Sequence, residues 1–264
     1  MSRKSPAPKN PAPENPAPKH EQEQELVRDY RASDYPRPSV TVDVVVFTVI
    51  DSDLKVLLIK RAGPPFAGSW AIPGGFVRVS EDDDQGEGLD EAAARELSEE
   101  TGLAPGSVFL EQLYTFGTPG RDPRTRVITV AYYALVRPDL VPLVSAGSDA
   151  AEARWFSIAE ELPTVELAFD HQAILDAAVD RIRGKIDYAP LAFELVPPTF
   201  TIAELRAVYE AIKGHAYDPG NFRRRFMRMQ TDGVIERAPG KRQTGTKPAR
   251  VYRFSGADRP HPER

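Results

Sequence analysis

Residues 89–103 have the sequence LDEAAARELSEETGL and follow a glycine turn at Pro73–Gly75. If this stretch is helical, Glu96, Glu99 and Glu100 project from one side within a single turn, because residues three and four apart share a face. Three like charges so close together repel one another unless a cation neutralises them. Hard divalent ions such as Mg²⁺ prefer carboxylate oxygens of this kind. The spacing therefore predicts a helix with a candidate metal-binding face.

The same stretch carries signals for a buried side and for a helix end. Leu89, Ala93 and Leu97 recur at four-residue spacing on a different strip, which predicts an apolar side. Gly102 stands where a helix would stop, because glycine readily adopts the left-handed conformation of a C-terminal cap. A solvent-exposed acidic helix with an ordinary glycine cap is the alternative that these letters leave open.

The sequence of this helix resembles the Nudix box, whose pattern is G-x5-E-x7-R-E-U-x-E-E-x-G-U, with U an aliphatic residue. Residues 95–103, RELSEETGL, match its second half at every fixed position. The resemblance implies an α/β fold, an α/β/α sandwich with a mixed sheet. It assigns Glu96, Glu99 and Glu100 to Mg²⁺ binding and, in an active hydrolase, to catalysis.

The first half of the box departs from the pattern. Gly75 is followed by Glu81 at the expected distance, but Arg95 lies fourteen residues after Glu81 instead of eight. Glu87 is eight residues before Arg95 but too far from Gly75. An acidic insertion within Asp82–Gly88 has lengthened this loop by six residues. The structural partner of Arg95 is therefore either Glu87 or Glu81.

The composition indicates two modest domains without a membrane segment. The chain has 264 residues, of which 41% are hydrophobic, enough for real cores. It has no cysteine, which excludes disulfides and thiolate metal sites. No apolar run approaches the ~20 residues needed to cross a bilayer, so no membrane partner is expected. The N-terminus lacks the apolar core of a signal peptide, and we expect a cytoplasmic location, with nucleoid association when DNA is bound.

Charge is distributed unevenly along the chain. The net charge is −5, but residues 190–264 hold 14 Lys/Arg and 8 Asp/Glu, a net of +6, which leaves −11 for residues 1–189. An acidic body joined to a basic C-terminal unit is expected when one part binds a metal or small molecule and the other contacts a polyanion. A basic unit that serves only solubility is the alternative.

Both ends of the chain are predicted to be tails. Residues 1–20 repeat Pro-Ala-Pro-Lys/Glu-Asn at a period of five, a composition that favours polyproline II and cannot bury a core. We predict a disordered Pro-rich segment over residues 1–35 and a short tail over residues 257–264.

Residues 36–189 are predicted to form the Nudix-like domain. Apolar, β-branched runs at Val40–Ile50 and Leu54–Ile59 flank turn-forming residues 51–53, which predicts a hairpin of largely buried strands. Trp70 is interpreted as a core aromatic rather than a substrate contact. The further predicted elements are a loop over Arg61–Trp70, strands at Val108–Phe116, Val127–Val136 and Arg154–Phe156, and an amphipathic helix over Asp170–Ile182.

A turn-rich loop, Gly117–Arg126, carries three arginines beside the predicted metal helix. Arginine forks can hold a diphosphate or the ribose of an adenylate, whereas a merely solvated loop is the alternative. The segment Tyr114–Leu135 resembles ADP-ribose-handling Nudix proteins, which implies ADP-ribose or a related NAD metabolite as the ligand. The predicted ligand-binding residues are Arg61, Gly74, Gly75, Phe76, Arg78, Arg121, Arg124 and Arg126.

Residues 190–256 have the signals of a second domain. Thr201 and Glu204 form a capping box that opens a helix with an apolar stripe. Asp218-Pro219 opens a second helix, Asp218–Gln230, whose surface is crowded with arginines. Two short strands, Val234–Arg237 and Arg250–Phe254, are predicted to bracket a flexible basic loop over residues 239–248.

Two helices, the second basic, followed by a basic hairpin make the outline of a small winged helix-turn-helix domain that binds double-stranded DNA. Asn221 and Arg224, near the helix start, are assigned to base edges, and the cations of the wing to phosphates. A merely structural basic helix is the alternative. The predicted DNA-binding residues are Asn221, Arg223, Arg224, Arg225, Arg228, Lys241, Arg242, Lys247 and Arg250.

The pairing of these domains resembles the Nudix-related transcriptional regulators from about Tyr35 to Phe254, on the segments Leu191–Leu195, Thr199–Gly214 and Asn221–Arg224. The resemblance implies a homodimeric bacterial repressor of NAD-synthesis or salvage genes that binds a palindromic operator and is released by ADP-ribose or a related metabolite. The competing hypothesis is a Mg²⁺-dependent ADP-ribose pyrophosphatase, alone or as a residual second activity, because the three box carboxylates are retained.

Overall fold

The computed structural model describes residues 24, 28, 31, 34–80, 86–104, 106–143, 150–244 and 247–256. Pro38–Arg264 form one compact unit, which contains both predicted domains. The predicted tails over residues 1–35 and 257–264 lie outside the described residues, except at positions 24, 28, 31, 34 and 35. Of these, Gln24 and Arg28 have helical backbone. Within the described residues, no helix is long and apolar enough to span a bilayer.

The predicted hairpin forms the centre of the sheet. Strands β1 (Ser39–Ile50) and β2 (Asp53–Arg61) pair antiparallel, with Ile50 opposite Asp53. Asp51 and Ser52 connect them, and both have positive φ, 54° and 64°. Positive φ at both central residues is the geometry of a type I′ turn, whose twist matches that of the flanking strands. The tight turn therefore fixes the register of these two largely buried strands.

In the described part of the chain, seven strands form one mixed sheet. The other five are β3 (Trp70–Ala71), β4 (Gly74–Phe76), β5 (Phe109–Phe116), β6 (Val127–Leu135) and β7 (Ala150–Ser157). The order is β3-β2-β1-β6-β5, while β4 also pairs with β1 and β7 with β2. Only the β1–β6 pair is parallel among the pairs described.

Helices cover both faces of this sheet, which confirms the predicted sandwich. Alternate residues of β1 point to opposite sides of the sheet. On one side, Val42, Val44 and Val46 pack under helix α1 (Leu89–Thr101). On the other, Val45, Phe47 and Val49 pack in the same apolar cluster as helix α2 (His171–Lys185). The predicted helix end is also confirmed, because Gly102 caps α1 with φ 74°. Trp70 packs edge-on against Phe156, with the ring centroids 4.7 Å apart, as a partly buried core aromatic.

The apolar side predicted for α1 needs correction. Leu89 is exposed, whereas Ala92, Ala93 and Leu97 are buried. Glu96 is also buried, with 8% of its surface exposed, so one of the three carboxylates lies on the packed side of the helix. The four-residue spacing predicted that α1 has a buried side but not which residues lie at its centre. Packing against the β4 backbone and the sheet determines those residues.

The C-terminal domain is built as predicted, with one exception. After a 3-10 turn at Pro190–Leu195 come α3 (Ile202–Lys213), α4 (Pro219–Thr231), β8 (Ile235–Thr244) and β9 (Lys247–Phe254). Both predicted N-caps are formed, because the Thr201 hydroxyl accepts from the backbone N–H of Glu204 (3.2 Å) and the Asp218 carboxylate accepts from that of Asn221 (2.8 Å).

The exception is the wing. The prediction of a flexible loop over residues 239–248 is wrong for the residues described there, because 239–244 belong to β8 and 247–248 to β9, with Lys241 opposite Arg250 and Thr244 opposite Lys247. A register shift between Arg237 and Lys241 accommodates Pro239 and Gly240, the residues that suggested a loop. The wing is therefore a paired ribbon with its cations at fixed positions.

One apolar cluster joins the sheet to the C-terminal domain. It contains Phe47 and Ile182 from the sandwich together with Ile212, Phe222 and Phe226 from α3 and α4. Leu191 and Leu195 of the intervening 3-10 turn are buried in the same cluster. The boundary at residues 189/190 remains a prediction, and packing continues across it.

Candidate functional site

A cleft of about 270 Å³ opens beside β1 and β4, at the N-terminal end of α2. Six of the eight predicted ligand residues line it, and so does Glu100. Arg78 and Arg126 do not, because their guanidinium groups donate to the Glu99 carboxylate (2.9 Å) and to the Val127 carbonyl (3.3 Å). The six lining residues are Arg61, Gly74, Gly75, Phe76, Arg121 and Arg124.

Cations and aromatic rings alternate at the mouth of the cleft. The Arg124 guanidinium lies 5.4 Å from the ring centroid of Phe76 and 6.0 Å from that of Phe169, and the Arg61 guanidinium lies 5.0 Å from the Phe169 ring centroid. Asp122 is buried and pairs with Arg124 at 2.7 Å, which lowers the pKa of the Asp122 carboxyl. Flat rings beside fixed guanidinium groups suit a ligand that combines a base with a diphosphate.

The floor of the cleft is a buried polar network. Arg121 donates to both oxygens of Asp170, at 2.6 and 3.0 Å, and approaches Asp43 at 3.5 Å. The Nδ1 atom of His171 accepts from the backbone N–H of Ile72 at 2.9 Å, which leaves the proton of the neutral ring on Nε2, 3.8 Å from Asp43. Burial lowers the pKa of His171, and the ring is therefore neutral near pH 7.

One buried hydroxyl on the wall is unsatisfied. Thr41 is 8% exposed and lines the cleft, and its hydroxyl finds no hydrogen-bond partner among the described residues. Buried polar groups are normally paired, so a polar ligand in the cleft is the natural partner for this oxygen.

The sequence reasoning missed several lining residues, including Thr41 and the polar or aromatic residues Asp43, Asp122, Phe169 and His171. Asp43 gave a usable signal, because a lone carboxylate within the apolar run of β1 requires a partner. Asp122 lies among the arginines of its own loop. Phe169 and His171 flank the start of α2 and gave no periodic signal. Only the fold brings the start of α2 to β1.

The three carboxylates of α1 each have a partner within the protein. Glu96 accepts from Arg95 at 2.6 Å, Glu99 from Arg78 at 2.9 Å, and Glu100 from the backbone N–H of Gly74 at 2.8 Å. Burial raises the pKa of Glu96. Among the described residues, no three His, Cys, Asp or Glu side chains are grouped so as to hold a metal ion. The donor types suit Mg²⁺, which usually takes only one or two protein carboxylates beside waters and phosphates, and metal binding by this helix remains a prediction.

The glycine turn lets β4 lie close to β1 and to Glu96. A Cβ atom at Gly74 would collide with the backbone of Val42 and Asp43, and one at Gly75 would displace the Glu96 carboxylate. The buried acid and the glycine turn therefore form one packed unit beside the cleft.

Arg95 is paired with Glu87. The two side chains form a bidentate ion pair, with N···O distances of 2.8 and 2.5 Å, and this hydrogen bonding lowers the pKa of Glu87 to about 2. The backbone N–H of Arg78 also donates to Glu87 at 2.8 Å, beside a bridge between Val79 and Gly86 that closes the inserted loop. The competing candidate, Glu81, lies outside the described residues.

Helix α4, the predicted DNA-recognition helix, has an exposed basic face. Arg223, Arg224 and Arg228 are exposed, and Arg224 donates to the side chain of Asn221. Phe222 and Phe226 on the opposite side are buried. On the wing, Lys241, Lys247 and Arg250 are also exposed. These groups are placed so that DNA can reach them.

Two of the predicted DNA-binding residues also bind other parts of the protein. Arg225 donates to Asp187 at 3.1 Å, and its guanidinium lies 4.5 Å from the ring centroid of Tyr209. Arg242 donates to Glu204 at 2.6 Å and to the carbonyl of Thr199 at 2.8 Å. Both side chains are partly exposed, so these contacts stabilise the domain while DNA contact by the two arginines remains a prediction.

Comparison with protein families matches both domains. Residues 40–177 match the NUDIX domain, and residues 192–254 match the NrtR DNA-binding winged helix domain. An ADPR responsive transcriptional repressor, NtrR, of Acinetobacter baylyi is 38% identical over 236 residues, which are 89% of this chain and 90% of that protein. An ADP-ribose pyrophosphatase of Methanocaldococcus jannaschii is 42% identical over 141 residues, 53% of this chain and 73% of that protein.

Solved structures agree with these matches. NrtR of Shewanella oneidensis in complex with a 27mer DNA superimposes with a TM-score of 0.69 at 32% identity and covers 81% of this chain and 93% of that one. The NUDIX domain of the same protein in complex with ADP ribose gives a TM-score of 0.50 at 33% identity, covering 61% and 98%.

Proposed function

This chain belongs to the NrtR family of Nudix-related transcriptional regulators, and from that membership we propose that it is a repressor of NAD-synthesis or salvage genes that ADP-ribose releases from DNA. The observation that carries the proposal is the union, in one compact unit, of a cation-lined cleft with a winged helix-turn-helix domain. The similarity to the Acinetobacter baylyi repressor extends over both parts, so it is not a match to one shared domain.

ADP-ribose, or a related NAD metabolite, fits the chemistry of the cleft. The alternating arginines and phenylalanines at its mouth offer positions for a base and a diphosphate, and the Thr41 hydroxyl offers a buried polar contact. The names of two relatives, a repressor responsive to ADP-ribose and a pyrophosphatase of ADP-ribose, support this ligand.

The repressor acts as a homodimer in this proposal. A winged helix domain presents one recognition helix, and a palindromic operator has two half-sites about one DNA turn, or a multiple of it, apart. A two-fold symmetric pair of chains would place two α4 helices at that spacing. Because a repressor binds chromosomal DNA, we propose that the protein acts in the cytoplasm, at the nucleoid.

A second function, Mg²⁺-dependent hydrolysis of ADP-ribose, is favoured by one observation. The chain retains Glu96, Glu99 and Glu100, and the Methanocaldococcus jannaschii relative is a pyrophosphatase. Hydrolysis alone leaves the winged helix domain as a mere accessory, whereas the repressor proposal gives both domains a role. We therefore place hydrolysis second, as a residual activity.

The discriminating experiment measures both activities on one preparation. Fluorescence anisotropy with a duplex from the promoter of the adjacent genes should give tight binding that falls when ADP-ribose is added. In parallel, ADP-ribose turnover with Mg²⁺ should be slow or undetectable. Rapid turnover without DNA binding would replace the repressor assignment by the hydrolase one.

A further inference from the structure

Helix α2 contacts the cleft at one end and the DNA-binding domain at the other. At its N-terminal end, Asp170 pairs with Arg121 and His171 lines the cleft. The helix has fifteen residues and ends at Lys185, so it is roughly 22 Å long at 1.5 Å per residue. Lys185 binds Glu111 of β5, so the helix is also tied to the sheet near its C-terminal end.

The C-terminal end of α2 and the two residues after it are bound to α3 and α4 by polar contacts. The Arg183 guanidinium donates to the carbonyl of Ile212 at 3.0 Å. Asp187 accepts from Lys213 of α3 at 2.5 Å and from Arg225 of α4 at 3.1 Å. Asp187 thus connects the end of α2 to α3 and α4, the two helices of the DNA-binding domain.

Tyr209 completes this set of contacts. Its ring lies under the Arg225 guanidinium, and its hydroxyl accepts from Arg225 and donates to the carbonyl of Ile186, both at 3.3 Å. Ile186 itself is fully buried. Hydrogen bonding to Lys213 and Arg225 lowers the pKa of Asp187, so the carboxylate stays charged at neutral pH.

From this geometry we propose that α2 is the mechanical link between the cleft and the DNA-binding domain, and that Asp187 is the positioning residue that sets recognition helix α4 relative to the sensor domain. The inference rests on the proposed function. It gives Arg225 a role in setting the position of α4 and leaves base contacts to the exposed residues of that helix.

The strength of these contacts suits a switch. Asp187 is 44% exposed at its side chain, and exposed ion pairs are individually weak. Allosteric coupling needs only a modest difference in free energy between the two states. Several weak contacts of this kind can therefore be rearranged by a ligand, whereas one strong buried pair would hold a single state.

The test compares Asp187→Asn with Asp232→Asn. Asp232 lies beside the same arginines at the end of α4, so both variants remove one negative charge near bound DNA, but only Asp187 bridges α3 and α4. The measured quantity is the release factor, the ratio of the Kd for DNA with saturating ADP-ribose to the Kd without it. The DNA probe is a duplex that the wild-type protein has selected from a randomised pool.

We expect Asp187→Asn to reduce the release factor at least tenfold while calorimetry gives an unchanged ADP-ribose affinity for the DNA-free protein. Asp232→Asn should tighten DNA binding slightly and keep the wild-type release factor. Arg225→Lys, which keeps the charge but loses the flat guanidinium over Tyr209, should reduce the factor partly, and it decides the question if Asp187→Asn does not fold.

A release factor in Asp187→Asn, or in its substitute Arg225→Lys, equal to that of Asp232→Asn overturns the inference. A wild-type protein that binds its selected duplex but is not released by ADP-ribose overturns the proposed function, and this inference with it. The two failures are distinguishable because the second is seen before any variant is measured.

Discussion

Arg124 is the residue through which the cleft is expected to hold its ligand. Replacing it with alanine should weaken ADP-ribose binding about tenfold or more, because a hydrogen bond to a charged group contributes about 1.5–3 kcal/mol. Arg126→Ala is the matched control, since that arginine belongs to the same loop but does not line the cleft. Calorimetry measures both variants, and thermal melts check that Asp122, left without its partner, has not unfolded the loop. Equal losses in the two variants would contradict the role of Arg124.

Glu87 is expected to stabilise the domain through Arg95. Its folded pKa of about 2 lies below the ordinary value of 4.5, so the stabilisation is complete above pH 4.5 and is lost as the pH falls toward 2. Glu87→Gln should lower the free energy of unfolding by about 1.5–3 kcal/mol at pH 7. The difference from wild type, measured by urea unfolding, should shrink below pH 4.5.

Glu81→Gln is the control for that prediction. It removes the other glutamate that the box pattern offers as a partner of Arg95 and should change stability by less. If Glu81→Gln were the more destabilising variant, the pairing role would belong to Glu81.

At the scale of elements, α1 is the place to test metal dependence. The double variant Glu99→Gln/Glu100→Gln removes two negative charges, and the helix should survive because neither residue is among its buried ones, which are Ala92, Ala93, Glu96, Leu97 and Thr101. If a metal on this helix assists the ligand, ADP-ribose affinity in Mg²⁺ should fall to that of wild type in EDTA. Calorimetry that finds the same affinity in the double variant, wild type in Mg²⁺ and wild type in EDTA would exclude this metal role.

Helix α4 and the wing are expected to contact different parts of the DNA, the bases and the phosphates. Arg224→Ala should cost about 1–3 kcal/mol on the operator and little on random DNA, because an arginine near the start of a recognition helix can contact base edges. Lys241→Ala should weaken both and reduce the salt slope by about one unit, because a lysine on the wing contacts phosphates. Lys241 lies on a paired strand, opposite Arg250, and not on the flexible loop that the sequence predicted.

Anisotropy titrations on operator and scrambled duplexes at several salt concentrations separate these effects. If Arg224→Ala loses operator and random affinity equally, α4 does not contact bases at that residue. If neither variant binds DNA less tightly, the repressor proposal fails.

For the whole molecule, release by a ligand requires reciprocity. ADP-ribose can dissociate the complex only if it binds the DNA-incompetent arrangement more tightly, so operator DNA must weaken ADP-ribose binding by the same factor. Calorimetric titration of ADP-ribose into free and operator-bound protein measures the second factor, and anisotropy measures the first. Equal ADP-ribose affinity in both titrations would contradict a coupled mechanism.

Local sequence determined the parts of this protein that local chemistry controls. The β1–β2 hairpin follows from two apolar runs around a two-residue turn, and the ends of α1, α3 and α4 follow from Gly102, Thr201 and Asp218. Each of these signals acts over a few residues, through backbone conformation or a side-chain hydrogen bond to a neighbouring N–H. The family pattern of α1 and the basic second helix then predicted the two domains.

Tertiary structure decided which side chains meet. The cleft joins Asp43 of β1 to His171 of α2, which are 128 residues apart, and no local pattern encodes that distance. Arg95 pairs with Glu87 at the base of the inserted loop, and Arg225 of α4 pairs with Asp187, which lies 38 residues earlier in the chain. A charged side chain takes the partner that the fold brings within hydrogen-bond reach, and that choice cannot be made from spacing in the chain.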